Sequence, residues 1–152
     1  MIAIGSDHAG FEIKKEIIKY LESKGIELYD CGAYEYNSED DYPDFAYKVA
    51  EKVAVKECEF GVLICGTGIG VSIVANKVRG VRAAACSEPL SARLSREHND
   101  ANVIAFGARI VGIEMAKAIV DSFLSVPIKI EHRDKDERRM DEIRDIEQKR
   151  GF

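Results

Sequence analysis

Short apolar runs alternate with segments of helical period along most of this 152-residue chain. The runs consist mainly of branched and small apolar residues and are bounded by glycines or charged residues, as buried strands are. They lie at residues 1–5, 26–29, 60–65, 81–86 and 103–106. We therefore expect five buried strands.

Apolar residues between these runs recur at the i, i+4, i+7 spacing of an amphipathic helix. The clearest repeats are Ile13, Ile17, Tyr20 and Leu21; Phe45, Val49 and Val53; and Ala116, Ile119, Val120 and Phe123. Alternation of strand and helix predicts an α/β fold, a three-layer Rossmann-like sandwich with a five-stranded, mainly parallel sheet and a C-terminal helix. Ligands of such sheets bind beyond the carboxyl ends of the strands.

The length fits a single domain over residues 1–152. Residues 130–152 differ from the rest because they are almost wholly charged, with Met140, Ile143 and Ile146 or Glu147 as a thin apolar stripe. Two interpretations stay open: a solvated terminal helix supported by ion pairs, or a charged arm that packs on a partner subunit. We adopt the arm as the prediction.

Charge and cysteine usage narrow the classes of function. The formal net charge is −5 and the basic residues are interleaved with acidic ones, which disfavours nucleic acid as a partner. No apolar run approaches the ~20 residues of a membrane span, and the first ten residues do not resemble a secretory signal. The four cysteines form no metal-binding pattern. We expect a cytoplasmic protein with reduced thiols and no metal.

The segment CGTGIG places glycines at 66, 68 and 70, which matches neither the dinucleotide nor the phosphate-loop fingerprint. A helix starting near Gly68 would direct unpaired N–H groups at an anion, although a tight turn without a ligand remains the alternative. Beside that helix start, Cys65 is placed to be a thiolate nucleophile or a general base. We interpret Cys31, Cys58 and Cys86 as small buried hydrophobes.

Three polar residues are further candidates. Asp7 and His8 directly follow the first predicted strand, where they suit sugar hydroxyls and a phosphate; a helix-capping Asp7 beside an exposed His8 fits equally well. His98 lies four and eight residues after Leu94 and Leu90, which predicts that it shares their inward face. A histidine in the last helical turn is favoured as imidazolium, which suits a proton donor.

The blocks SDHAGF, DYPDFA, LICGTGIGVSI and SARLSREHNDANV together resemble the ribose-5-phosphate isomerase B family, which also holds allose- and galactose-6-phosphate isomerases. The resemblance runs from residue 1 to about residue 126. It implies an aldose–ketose isomerase that interconverts ribose 5-phosphate and ribulose 5-phosphate through an enediolate without a metal or other cofactor. It also implies a homodimer, or a tetramer of paired dimers, with each active site built from two chains.

The resemblance assigns roles by position. Cys65 matches the base that moves a proton between C1 and C2, and His98 matches the residue that opens the sugar ring, with Asp7 and Thr67 assisting. His8 and Arg109 match phosphate ligands. The groups that match the oxyanion site are the Asn99 side chain and the amides of Gly66, Thr67, Gly68, Ile69 and Gly70.

The chain departs from the family near its C-terminus, where IEHRDKDERRM replaces the usual G-R-H-x-x-R. We take Arg133 and Arg139 as the phosphate-binding candidates there, with Arg138 and Lys135 as alternatives for the same roles. Because this part of the pocket is altered, a six-carbon sugar phosphate remains an alternative substrate. A non-catalytic sugar-phosphate-binding protein is the remaining alternative.

Overall fold

The computed structural model describes residues 1–128, 131 and 133–150. The strands of this part of the chain are β1 (Ile2–Ser6), β2 (Leu28–Asp30), β3 (Phe60–Cys65), β4 (Ala83–Ala85) and β5 (Val103–Gly107). A 3₁₀ turn (His8–Gly10) precedes the first helix. The α-helices are α1 (Phe11–Ser23), α2 (Tyr42–Ala54), α3 (Ile69–Ala75), α4 (Pro89–Asn99), α5 (Ile113–Leu124) and α6 (Asp134–Arg150).

The five strands form one parallel sheet in the order β2-β1-β3-β5-β4. The chain leaves β1 toward β2 on one side and leaves β3 toward β4 on the other, so the connections diverge between two neighbouring strands. In open parallel sheets a crevice opens at such a switch point, beyond the carboxyl ends of the strands. Here that place lies just after Ser6 and Cys65.

Both faces of the sheet are covered by helices, which explains why β1, β3 and β5 are buried along their whole length. Helices α1, α4 and α5 pack on one face around Ile17, Ile119 and Phe123. Helices α2 and α3 pack on the other around Val49 and Val71. The predicted three-layer α/β sandwich is confirmed.

The predicted repeats of α1, α2 and α5 place their apolar residues toward the sheet, as expected. The bounds of β3 agree with the prediction, whereas β2 and β4 are only three residues long. Both are edge strands, which pair on one side only.

The predicted inward face of α4 is wrong. The buried residues of this helix are Ala92, Ser95 and Arg96, while Leu90 is 55% exposed. The Arg96 guanidinium stacks on the Phe60 ring at 4.4 Å, so a cation takes the place that an apolar side chain usually fills. His98 therefore lies on a partly exposed flank and not on the core side.

The C-terminal helix α6 is solvated over most of its surface. Met140 is buried, whereas Ile143 and Ile146 are exposed. The predicted arm of residues 130–152 begins at Ile130, and Ile130, His132, Gly151 and Phe152 lie outside the described residues. No helix within the described ranges is long and apolar enough to cross a membrane.

Candidate active site

Asp7 and His8 emerge at the carboxyl end of β1. The Asp7 side chain is almost fully buried and its Oδ1 accepts hydrogen bonds from the backbone amides of Ala9 (3.0 Å) and Gly10 (3.2 Å). Asp7 is thus the N-cap of the 3₁₀ turn. The capping interpretation is confirmed, and Oδ2 is left for other contacts.

His8 is not merely exposed. Its Nδ1 lies 2.6 Å from Asp40 Oδ1, and the same oxygen accepts the backbone N–H of His8 at 2.9 Å. This hydrogen bond, more than any other contact, raises the pKa of the His8 imidazole above its ordinary value. The ring is therefore held by a carboxylate on its inner nitrogen.

The glycine loop turns sharply after β3 and keeps the Cys65 thiol against backbone donors. Gly68 adopts a left-handed φ of 79° and donates its N–H to Cys65 Sγ over 3.1 Å. The amide of Ile69 donates to Thr67 Oγ1 at 3.3 Å. The sulfur of Cys65 is thus within hydrogen-bonding distance of a backbone donor at the start of α3.

The loop is packed tightly onto the end of β5. A Cβ atom on Gly68 would lie 2.7 Å from the Phe106 Cα, and one on Gly107 would lie 2.6 Å from the backbone of Thr67. Because backbone atoms stand on both sides of each contact, neither strand nor loop can yield to a methyl group. The position of Cys65 is correspondingly fixed.

The other cysteines have different surroundings. Burial raises the pKa of Cys31 and of Cys86 to about 11 and also raises the pKa of Cys58. These thiols stay protonated at neutral pH, in line with their interpretation as small buried hydrophobes. All four cysteines are free.

Arg109 and Tyr42 also lie at the carboxyl ends of the strands. The Arg109 amide donates to the carbonyl of Gly66 at 3.0 Å, and its guanidinium lies over that glycine. The Tyr42 ring packs on Gly70, where a Cβ would meet the ring carbons at 2.7 Å. We name the group of Asp7, His8, Cys65, the loop 66–70 and Arg109 the thiol cluster.

His98 and Asn99 lie elsewhere. Helix α4 begins after the carboxyl end of β4 and runs antiparallel to the strands, so its last turn lies at their amino ends. The Asn99 carbonyl accepts a hydrogen bond from Arg82 Nε at 3.2 Å, and Arg82 directly precedes β4. Within one chain the structure does not bring His98 and Asn99 to Cys65.

Near the amino ends of the strands, Asp136 contacts three basic side chains. The almost fully buried carboxylate lies 3.2 Å from His98 Nδ1, 2.8 Å from Arg133 Nε and 4.0 Å from Arg139 Nη1. Arg133 first and His98 second hold the pKa of Asp136 down at about 2. A cavity of about 380 Å³ opens beside them, lined also by Arg93 and Glu97. We name His98, Arg133, Asp136 and Arg139 the arginine cluster.

Sequence reasoning missed Asp40, Asp136 and Tyr42. The first two act through partners 32 and 38 residues away, and such pairs leave no periodic signal. Tyr42 lies within the block DYPDFA, which pointed to this stretch without naming a role. Among the described residues, no group of three or more His, Cys, Asp or Glu side chains could hold a metal ion.

Comparisons with known proteins show the family and the fold of the chain. A family model described as Ribose/Galactose Isomerase matches residues 2–143. The chain is 49% identical over 150 residues to ribose-5-phosphate isomerase B of Escherichia coli, covering 99% of this chain and 98% of that protein. It is 46% identical over 124 residues to D-erythrulose-4-phosphate isomerase of Pectobacterium atrosepticum, with 81% of each covered.

A crystal structure of ribose-5-phosphate isomerase B from Mycoplasma genitalium with bound ribulose-5-phosphate has the same fold, with a TM-score of 0.91. Its sequence is 40% identical, and the match covers 97% of this chain and 95% of that one. Full-length likeness in sequence and fold confirms the resemblance seen in the motif blocks. The chain belongs to the ribose/galactose isomerase family.

Proposed function

We propose that the protein is an aldose–ketose isomerase that interconverts ribose 5-phosphate and ribulose 5-phosphate. The observation that carries the proposal is the thiol cluster: a cysteine with an amide donor at its sulfur, beside a buried carboxylate and the basic residues His8 and Arg109. These groups converge at the switch point of the sheet, the usual ligand site of the fold. The near full-length identity with the Escherichia coli enzyme supports the substrate.

In this proposal Cys65 is the base. Its thiolate takes the proton from C2 of the open-chain aldose and returns it to C1, while one proton moves from O2 to O1. The intermediate is an enediolate, whose negative oxygen is stabilised by the loop of residues 66–70, where the Gly68 and Ile69 amides would exchange their contacts with Cys65 Sγ and Thr67 Oγ1 for the substrate oxygen. Such preorganised donors lower the barrier by a few kcal/mol. Asp7 and Thr67 orient the hydroxyls, and His8 and Arg109 hold the phosphate.

The ring-opening residue His98 must come from a second copy of the chain, because the His98 of the same chain lies at the opposite end of the strands from Cys65. We therefore include a homodimer in the proposal, with the arginine cluster of one copy completing the thiol cluster of the other. Ile69 in the loop of the thiol cluster and Leu90 in the first turn of α4 are 57% and 55% exposed and available for such contact. Asn99, Arg133 and Arg139 would then reach the enediolate or the phosphate from the partner.

We also propose that the protein is cytoplasmic. All four thiols are free, as expected in a reducing cytoplasm.

A second candidate substrate has an observation in its favour. The Pectobacterium relative is named for a four-carbon sugar phosphate, and the basic segment near residue 133 departs from the family pattern. Isomerases of allose or galactose 6-phosphate are the six-carbon counterparts. All share the reaction, and the substrates differ in chain length and in the configuration of their hydroxyl groups.

The test is a substrate panel. Purified protein in the presence of a chelator should convert ribose 5-phosphate into a ketopentose phosphate, followed by ketose absorbance. Its kcat/KM should exceed those for erythrose 4-phosphate, allose 6-phosphate and galactose 6-phosphate. A higher value for one of these would change the substrate and keep the reaction. If sugar phosphates bind and none is converted, the protein is a non-catalytic sugar-phosphate-binding protein.

A further inference from the structure

The loop between β2 and α2, residues 31–41, brings one carboxylate to the thiol cluster, that of Asp40. A single oxygen of this carboxylate contacts both the backbone N–H and the ring Nδ1 of His8, at 2.9 and 2.6 Å. Two contacts from one atom fix the position and the rotation of the imidazole. Because Nδ1 donates its proton to Asp40, the other nitrogen, Nε2, is the one available to a ligand.

Asp40 is itself poorly solvated. Its side chain is 10% exposed, and Oδ2 is buried without a hydrogen-bond partner among the described residues. A carboxylate in such a place is unstable unless an opposite charge compensates it. The adjacent imidazolium of His8 supplies that charge.

The loop is anchored independently of any substrate. Lys14, which is 1% exposed, donates through Nζ to Asp30 Oδ1 at 2.6 Å and to the Ala33 carbonyl at 2.7 Å. The Ser6 amide donates to Gly32, and the Ala33 amide donates back to Ser6, each at 2.8 Å. The start of the loop is thus tied to β1 and α1, and its end leads into α2 two residues after Asp40, so both ends of the loop are fixed.

From this geometry we infer that Asp40 is a positioning residue, which holds His8 charged and oriented so that Nε2–H donates to the phosphate of the substrate. The inference deepens the proposed function and rests on it for the identity of the phosphate ester. Asp40 does not contact the sugar. Its effect is exerted through His8, so it should influence phosphate binding and not proton transfer at carbon.

The other groups that face His8 set the pH dependence. Asp7 on the end of β1 also raises the pKa of His8, Arg109 after β5 lowers it, and the Tyr36 ring lies edge-on 6.4 Å away. With Asp40 dominant, His8 stays protonated above the ordinary pKa of 6.5. Phosphate binding should be strong below the raised pKa and weaken as the pH rises through it.

The test compares Asp40→Asn with Glu39→Gln in the full-length protein. Asparagine can still accept both hydrogen bonds of His8 but carries no charge. Glu39 is the exposed neighbour on the same loop, so its variant makes the same change in net charge. The His8 imidazole is followed by NMR of histidine-labelled protein, with His8→Gln for assignment and inorganic phosphate as the probe.

We expect the titration midpoint of His8 to fall in Asp40→Asn and to stay in place in Glu39→Gln. The Kd for phosphate and the KM for ribose 5-phosphate should rise about three- to tenfold at neutral pH, the difference between charge-assisted and neutral hydrogen bonds. The kcat should change less than twofold. The rise of KM with pH should begin at lower pH in Asp40→Asn than in the wild type.

An unchanged midpoint in Asp40→Asn would overturn the inference, as would a fall in kcat with KM unaffected. The measurements on phosphate do not need turnover. If His8 titrates and binds phosphate as described but ribose 5-phosphate is not isomerised, the proposed function fails while the role of Asp40 stands.

Discussion

Two histidine–aspartate pairs lie at opposite ends of the parallel strands, one at the carboxyl ends and one at the amino ends. They differ in the number of cations that contact each carboxylate. Beside the thiol cluster, Asp40 contacts the His8 ring at 2.6 Å and also accepts a hydrogen bond from the His8 backbone N–H. In the arginine cluster, Asp136 contacts His98 at 3.2 Å and shares its oxygens with Arg133 and Arg139. In the first pair one carboxylate contacts one histidine, whereas in the second pair one carboxylate is shared by a histidine and two arginines.

The charge balance of the two regions is therefore unequal. Around His8 the carboxylates of Asp7 and Asp40 face the cations His8 and Arg109, which leaves little net charge for a phosphate dianion. Asp136 contacts three basic side chains, those of Arg133, Arg139 and His98. The difference teaches that the thiol cluster, which holds the proposed base, pairs its carboxylates and cations one to one, whereas several cations share one carboxylate in the arginine cluster.

The largest effect is expected for Cys65→Ala, which removes the base from the thiol cluster. Turnover of ribose 5-phosphate should fall about a thousandfold or more, since general bases contribute on that order. The Kd for inorganic phosphate should stay within about twofold, because His8 and Arg109, the proposed phosphate ligands, remain. Cys86→Ala is the matched control, since that thiol lies at the same edge but is kept protonated by burial. Retention of most activity in Cys65→Ala would exclude it as the base.

His98→Asn tests the role of the arginine cluster in ring opening. The kcat/KM for ribose 5-phosphate, which is mostly cyclic, should fall about a hundredfold, as for loss of a general acid. Erythrose 4-phosphate cannot close a furanose ring because its 4-hydroxyl is esterified, so its slower reaction should be affected much less. Equal losses on both substrates would show that His98 does not act on the ring.

Mixing the two inactive variants tests whether the clusters meet between chains. A dimer with one Cys65→Ala chain and one His98→Asn chain holds one site with both groups intact. After dissociation and reassociation at equal amounts, roughly a quarter of wild-type activity should return, because half of the dimers are mixed and each has one good site. Activity that stays at the level of the separate variants would mean that no site is shared.

The smallest effect is expected for Asp136→Asn on acid stability. The native pKa of Asp136 is about 2 against an ordinary 3.8, so its ion pairs stabilise the fold above pH 4. That contribution is lost as the pH falls from about 4 to 2. The variant should be less stable than the wild type to urea at neutral pH, and the gap should close toward pH 2. Asp134→Asn, exposed in the same helical turn, should behave like the wild type.

The thiol cluster was largely predictable because its parts are local in sequence. Cys65, the glycines and Asp7 each follow a strand whose apolar run is plain, and parallel strands bring their carboxyl ends together. His98 was predicted on the wrong face because Leu90 and Leu94 suggested a core stripe, whereas the buried positions of α4 are Ala92, Ser95 and Arg96. A buried arginine stacked on an aromatic ring has no signature in hydrophobic spacing.

The close packing of Gly68 on the Phe106 backbone, and of Gly107 on the Thr67 backbone, has a consequence for redesign. With backbone on both sides, this wall cannot be reshaped to admit a longer sugar without displacing the sulfur of Cys65. Room for a new substrate must come from the opposite wall, where Tyr42 and the 31–41 loop present side chains that can be shortened. A library aimed at altered specificity should vary that wall and leave the glycines untouched.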